Sequence, residues 1–294
     1  MIMNMKNILK IIVVLIVIII LFITTEVIIS YKCLTVTNYK IQSDKIKEST
    51  RIVLVSDLHD NEFGKNNQKL IDKIRGQNPD LILFDGDMNN EEADNPDSVC
   101  HLVKELKKTA PVYYALGNHE KVYLKRKTSD LLGQIKVAGA QILNKRYEDI
   151  TVNGNKIRIG SLYEYAFAVD DKGDMSRERM KPKIRGFLEE FQNSDSFKIM
   201  MSHRPDSFIF GHAIDTWKID LVVSGHAHGG QVRIPFVGGL YGADQGWFPK
   251  YVDGIHHFKA VKNMVITRGM GSDKEKLPRF DNIPEIVVID LKSR

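Results

Sequence analysis

Five short apolar runs in this chain each end abruptly in polar, reactive residues. They are Ile52-Val53-Leu54-Val55, Leu81-Ile82-Leu83-Phe84, Val112-Tyr113-Tyr114-Ala115-Leu116, Phe197-Lys198-Ile199-Met200-Met201 and Leu221-Val222-Val223. Runs this short, rich in branched and aromatic side chains, predict buried strands. Between the first three, Leu70, Ile71 and Ile74, then Val99, Leu102, Val103 and Leu106, recur at helical spacing. Alternation of strand and helix predicts crossover units in an α/β fold. Asn153-Gly154, between two strand-like runs in 142–161, marks a hairpin. Residues 255–261, 264–267 and 285–291 read as further strands, and no internal repeat is apparent.

A longer apolar run precedes all of these. Residues 11–23 are wholly apolar, and Ile28 and Ile29 prolong the run beyond Thr24, Thr25 and Glu26. A spanning helix takes roughly 20 mostly apolar residues, whereas a cleaved signal takes about 7–15 followed by small residues at the cut. The exit Glu26-Val27-Ile28-Ile29-Ser30-Tyr31 has no small-x-small pattern, so residues 1–31 read as an uncleaved anchor with a short tail. Lys6 and Lys10 lie before the span, and Lys32, Lys40, Lys45 and Lys47 after it, which divides the lysine count. A short tail with lysines stays inside, while a long following domain can translocate despite its charges. The expectation is a single-pass membrane protein with its globular domain on the extracytoplasmic side. Residues 32–49 read as a linker, and 50–294 as one domain.

Composition narrows the classes. With 43% hydrophobic and 27% charged residues, the chain is no disordered polymer. A net charge of +5 suits a neighbourhood of anionic lipid or phosphorylated substrate, although a slightly basic solvated surface accounts for it more simply. No basic tract interleaved with aromatics points to a dedicated nucleic-acid surface. Cys33 and Cys100 alone provide neither a disulfide framework nor a thiolate zinc site. Tyr31 and Lys32 before Cys33 exclude a lipoprotein cleavage site.

The candidate chemistry lies at the ends of the five runs. They deliver Ser56-Asp57-Leu58-His59, Asp85-Gly86-Asp87, Gly117-Asn118-His119-Glu120, Ser202-His203-Arg204-Pro205 and Ser224-Gly225-His226-Ala227-His228-Gly229-Gly230-Gln231. In open α/β sheets ligands gather beyond the carboxyl ends of strands. Oxygen and imidazole donors without thiolate suit Mn, Fe, Zn or Mg, and so many donors exceed the needs of one ion. Two divalent metal ions are therefore expected. Just past a strand, residues two apart point the same way, which suits the pairs Asp57/His59 and His226/His228. A carboxylate such as Asp87 can bridge two cations. Any one of these residues taken alone is more often structural; together they are hard to place otherwise, because charges after buried strands must be paired or metal-bound.

In order, Asp-x-His, Gly-Asp, Gly-Asn-His-Glu, a lone His and Gly-His-x-His resemble the calcineurin-like metallophosphoesterases over residues 51–231. That resemblance implies a four-layer α/β/β/α sandwich with two mixed sheets. It implies that Asp57, His59 and His228 hold one metal, that Asn118, His203 and His226 hold the other, and that Asp87 bridges them. His119 would stand beside the scissile phosphate as the catalytic acid or charge stabiliser, with a metal-bridging hydroxide as nucleophile. The ending His226-Ala227-His228-Gly229-Gly230-Gln231, together with the anchor, is similar to a branch of membrane-associated phosphodiesterases. Some members of that branch, the UDP-diacylglucosamine pyrophosphohydrolase-like ones, act on nucleotide-linked glycolipid pyrophosphates. Ala227 replaces a more usual Thr at a position that is not a ligand.

The implied activity is hydrolysis of a phosphodiester or pyrophosphate in a lipid-linked or nucleotide-linked substrate. The competing classes are a membrane-tethered nuclease, a phosphomonoesterase and a catalytically silent metal-binding scaffold. Arg204 is a candidate for phosphate binding or, equally, for a structural ion pair. Glu120 reads as a hairpin or helix-start contact. His101, His212, His256 and His257 match no motif. The Gly- and aromatic-rich stretch 238–248 is either a substrate-facing flap or a packed loop.

Overall fold

The computed structural model describes residues 4–126, 130–272 and 278–294. It opens with helix α1, Met5–Lys32, capped by the Asn4 side chain, which accepts the Lys6 N–H at 3.1 Å. This helix outruns the apolar run because Thr24 and Thr25 donate their hydroxyls to the Ile20 and Leu21 carbonyls, each at 2.8 Å. Neither residue thus presents an unpaired polar group on an apolar helix. By length and composition α1 suffices to cross a membrane, and its apolar side chains from Ile8 to Ile23 are exposed.

The next elements are β1 (Thr35–Gln42), β2 (Thr50–Val55), α2 (Gln68–Arg75), β3 (Leu81–Asp85), α3 (Asp97–Leu106), β4 (Val112–Ala115), α4 (Asn118–Arg126) and α5 (Leu131–Ala138). They are followed by β5 (Gln141–Leu143), β6 (Arg146–Val152), β7 (Asn155–Ser161), α6 (Pro182–Gln192), β8 (Phe197–Met201), α7 (Asp206–Ile209) and β9 (Leu221–Ser224). Two small ribbons come next: β10 (Arg233–Ile234) with β11 (Gly238–Gly239), and β12 (Tyr241–Gly242) with β13 (Gly246–Trp247). The chain closes with β14 (Gly254–His256), β15 (Met264–Ile266) and β16 (Glu285–Lys292).

Two six-stranded mixed sheets result, in the orders β1-β16-β2-β3-β4-β5 and β14-β15-β9-β8-β7-β6. Within them β2 to β5 run parallel, as do β7, β8, β9 and β15. Strand alternation sends successive side chains to opposite faces, and three apolar layers follow from it. Val53, Val55, Ile82 and Phe84 meet α2, α3 and α5 through Leu70, Ile74, Leu102 and Ile135. The intervening Ile52, Leu54, Leu81 and Leu83 face Ile157, Ile199, Leu221 and Val223 of the second sheet. Beyond that sheet, Met200, Val222 and Ile266 pack on Ile184, Phe187, Leu188 and Phe191 of α6. The layers are thus helix, sheet, sheet and helix. Because the strands are buried on both faces, they read as continuous apolar runs rather than as alternating ones.

The segment expected as a linker, 32–49, is largely structural instead. β1 lies within it and pairs in parallel with β16 at the edge of the first sheet. Val36 packs toward the helical layer while Tyr39 and Ile41 turn toward the inter-sheet core. At the edge of the sheet its polar residues are only partly covered, and they read as linker. The strand expected over 255–261 shortens to β14, whose pairing with β15 ends at His256. The Asn153-Gly154 hairpin forms as expected between β6 and β7, both turn residues at positive φ (49° and 77°).

Candidate active site

The carboxyl ends of β2, β3 and β4 in one sheet, and of β8 and β9 in the other, converge at one place. Asp57 and His59 follow β2, Asp87 follows β3, Asn118 and His119 open α4 after β4, and His203 and His226 follow β8 and β9. Asp57, His59, Asp87, His203 and His228 are buried. Single donor atoms of Asp57, His59 and His228 lie within 4.8 Å of one another, and so do those of Asp87, His203 and His226. Asp87 Oδ2 stands 3.0 Å from His203 Nε2 and 3.9 Å from His59 Nε2, while Asp57 Oδ1 stands 3.7 Å from His228 Nε2 and 3.8 Å from His203 Nε2.

Each imidazole is held by its other nitrogen. His59 Nδ1 meets Asn90 Oδ1 at 3.0 Å, His203 Nδ1 meets the Asp85 carbonyl at 2.6 Å, and His228 Nδ1 meets the Gly271 carbonyl at 3.2 Å. In all three the Nε2 atom faces the carboxylates. His226 is reversed: its Nε2 meets Asp244 Oδ2 at 3.0 Å, which leaves Nδ1 as its second donor. His59 Nε2 and Asn118 Oδ1 are buried without a hydrogen-bond partner among the described residues. Buried polar atoms are rarely left so, and an outer hydrogen bond that aims an inner nitrogen is the usual support of a metal ligand. The donor set therefore fits divalent cations.

The backbone is bent to achieve this. Asp57, His59, Asp87, His226 and His228 all take left-handed φ, between 47° and 64°. Such conformations are costly for residues with a Cβ and persist where surrounding contacts impose them. Gly117 is required by close approach, since a Cβ there would lie 2.1 Å from Asp87 Oδ1. Glu120, in the first turn of α4, accepts the N–H groups of Gly117, Asp87 and Met88 at 2.8–2.9 Å and the Tyr114 hydroxyl at 2.8 Å. It is the helix-start contact expected from the sequence, and it also braces the Asp87 loop.

Burial, with the adjacent Asp87 charge, pushes Asp57 up to about 6 although His203 opposes the rise. It holds His59 down to about 4, and His228 well below its ordinary value, with His59 adding to the effect on His228. His226 is lowered by burial too, against the pull of Asp244. Asp87 behaves differently. Burial opposes its ionisation, yet His203, His59 and His119 together keep it well below the carboxylate range. His203 goes the other way: against the effect of burial, Asp87 and Asp57 raise it well above its ordinary value. Neutral His59, His226 and His228 beside ionised Asp87 are in the state that metal binding requires, whereas His203 would give up a proton to a cation.

A profile of the calcineurin-like phosphoesterases matches residues 50–230. The chain belongs to that family. Similar proteins include the uncharacterized metallophosphoesterase Cj0846 of Campylobacter jejuni, 26% identical over 88% of this chain and 63% of that protein, so part of that relative lies outside the match. The phosphodiesterase YaeI of Escherichia coli is 28% identical over 73% of this chain and 71% of its own length. The UDP-2,3-diacylglucosamine pyrophosphatase LpxG of Chlamydia trachomatis is 24% identical over 81% and 82% respectively. Among solved structures, a dimetal phosphatase from Danio rerio aligns with a TM-score of 0.41 at 11% identity, over 75% of this chain and 88% of that one.

Within the metallophosphoesterase cluster, His119 is buried edge-on against the His59 ring at 4.5 Å, with a donor atom within 4.8 Å of those of His59 and Asp87. Its Nδ1 accepts the Glu91 N–H at 3.3 Å, so in the neutral ring the proton is on Nε2, which lies 4.0 Å from Asp87 Oδ2. Arg204 forms an ion pair. Its Nε donates to Asp244 Oδ2 at 2.8 Å and its guanidinium lies over the Tyr165 ring at 4.5 Å. Asp244, Asn90 and Ser56, which donates to Asp57 Oδ2 at 2.6 Å, were not singled out from the sequence. Asp244 lies in the turn between β12 and β13, within the stretch left open as flap or packed loop. That stretch touches the site, since Tyr241 and Ala243 line the same cleft as Asp87, Asn118, His119, His226 and His228.

Proposed function

We propose that this metallophosphoesterase is anchored in a membrane by α1 and hydrolyses a phosphodiester or pyrophosphate bond in a lipid-linked or nucleotide-linked substrate. Asp57, His59 and His228 would hold one divalent cation, Asn118, His203 and His226 a second, and Asp87 would serve both. The observation that carries the reading is the aimed set of imidazoles: outer nitrogens tied down, inner nitrogens turned on two carboxylates, beside an Asn118 oxygen buried with no partner among the described residues. Two cations there would activate water at neutral pH and offset charge on the phosphoryl oxygens. Asp87, kept ionised by its neighbours, supplies shared negative charge. His119, with its Nε2 proton directed into the cleft, donates to the leaving oxygen. Glu120 keeps the Asp87 loop from moving as charge develops. The substrate class draws support from the names of two relatives and from the apolar helix, which would hold the cleft near lipid headgroups at high effective concentration.

The test is a hydrolysis screen of the purified full chain, loaded in turn with Mn, Fe, Zn or Mg. The substrates are an aryl monoester, an aryl diester, single-stranded oligonucleotides and a nucleotide-linked pyrophosphate lipid in vesicles. Metal-dependent turnover of the diester or the pyrophosphate lipid upholds the reading. Brisk turnover of monoesters or oligonucleotides alone replaces it with one of the competing activities, and no turnover with any metal favours a silent scaffold.

A further inference from the structure

The two ribbons that border the cleft carry bulky apolar side chains on their outer edge. Phe236 is fully exposed, and Val237, Trp247 and Phe248 are each more than half exposed. Soluble surfaces rarely gather side chains of this size on neighbouring turns without a partner. Phe236 and Phe248 moreover occupy left-handed backbone, φ 66° and 53°, a strained setting for an aromatic residue. The two turns belong to one body: Leu240 donates to the Val232 carbonyl at 2.8 Å, and Phe248 donates to the Leu240 carbonyl at 2.9 Å.

What lies beside that body is α1. Arg233 donates to the Phe280 carbonyl at 2.9 Å, Val232 bridges to Phe280, and the Phe280 ring meets Phe22 of α1 edge-on at 6.2 Å. The end of α1 is fastened to the same face. Ser30 is buried and accepts the Asn282 N–H at 3.2 Å, and the Tyr31 hydroxyl accepts the Arg279 N–H at 3.2 Å. Asn282 in turn donates from Nδ2 to the carbonyls of His228 and Gln231 at 2.7 and 2.9 Å. Phe22 lies within the apolar run, two residues before its first polar position at Thr24. If that run spans a bilayer, the Phe22–Phe280 contact sits where hydrocarbon gives way to headgroups, and the ribbon leaving Phe280 sits there too. Aromatic residues with a nearby lysine, here Lys250, are the composition of that boundary.

We propose that Phe236, Val237, Trp247 and Phe248 dock into the bilayer that α1 spans, so that the mouth of the cleft rests on the headgroup layer. The proposal rests on the membrane-anchored reading above and extends it. The same ribbon carries Asp244 to His226 and Arg204, and Tyr241 to the cleft wall. A lipid-linked phosphate would therefore enter from the bilayer surface without leaving it, past Tyr241 and Gln231.

The chain itself contains the probe. Of its two tryptophans, Trp217 is buried and Trp247 exposed. The full chain is reconstituted in phosphatidylcholine vesicles with and without lipid brominated near the headgroup. Flotation reports the anchor, and tryptophan emission reports the ribbon. The expected result is co-flotation, with bromolipid removing most of the emission contributed by Trp247, while Trp247→Phe retains an emission insensitive to bromolipid. Phe236→Ser/Val237→Ser should lower turnover of a lipid-linked substrate in vesicles by at least about threefold and leave a soluble aryl diester unaffected. Flotation with unquenched Trp247 overturns the docking proposal and keeps the anchor. Failure to float overturns both. A shift from dimer to monomer in detergent on Phe236→Ser, with Trp247 unquenched, assigns the patch to a second copy of the chain and also overturns the proposal.

Discussion

The two halves of the candidate metal centre are held in different ways. His59 and His228 are fixed from within the fold: one leans on Asn90, the other on the carbonyl of Gly271, and both are buried. His226 leans on Asp244, which stands on a two-residue ribbon whose outer edge is exposed. The first half is set once the sheets pack. The second depends also on where a surface ribbon lies, so its affinity for metal is open to adjustment by whatever that ribbon touches.

Asp87 stands between the halves, and its removal should have the largest effect. Asp87→Ala is expected to abolish metal-dependent hydrolysis, because both half-sites lose a donor and His203 loses the carboxylate 3.0 Å away. A rate assay over a metal titration checks it. Recovery of activity at high metal would show that one half suffices. Next comes His119→Ala, expected to lower turnover by about two to four decades, the range of a positioned proton donor, with metal content unchanged. A loss of metal on that substitution would move His119 from the chemistry into the ligand set.

Asp244→Asn keeps shape but drops the charge behind His226, and so separates the two halves. Loss of such an outer partner costs roughly 10- to 100-fold in metal affinity. That loss should fall on one of two binding steps in a chelator competition, whereas Asn90→Ala should weaken the other. Equal weakening of both steps by either substitution would remove the distinction between the halves.

The smallest effect concerns stability. Buried Glu285 accepts Arg268 at 2.7 Å and also meets Thr37 of β1. Burial alone would raise its carboxyl, but Arg268 holds it below the ordinary 4.5. A carboxylate whose folded value is depressed stabilises the fold above the ordinary value and loses that contribution as pH falls through the folded one. Glu285→Gln should therefore cost on the order of 1–3 kcal/mol at pH 7 and flatten the acid limb of the melting curve below 4.5. An unchanged acid limb would mean that Arg268 does not hold the carboxylate charged.

Much of the candidate centre was legible because fully buried strands write continuous apolar runs, and the residue that ends such a run marks the strand's carboxyl end. Asp57, Asp87, His203 and His226 all stand at such ends. β1 was not legible, since Thr35, Thr37, Asn38, Lys40 and Gln42 are interspersed among its apolar positions on both faces, so that it reads as linker. Nor was Asp244. It is 18 residues from His226, joined to it only through the folding of the ribbons, and no fixed spacing ties a supporting carboxylate to its ligand. Ligands sit at strand ends, whose register is local; their supports come from wherever packing brings them.

Two cations shared through Asp87 can be counted by elemental analysis of the purified full chain. Two divalent ions per wild-type chain, one in His59→Ala, one in His203→Ala and none in Asp87→Ala is the expected result. A single ion in the wild type, or two retained in Asp87→Ala, would contradict it.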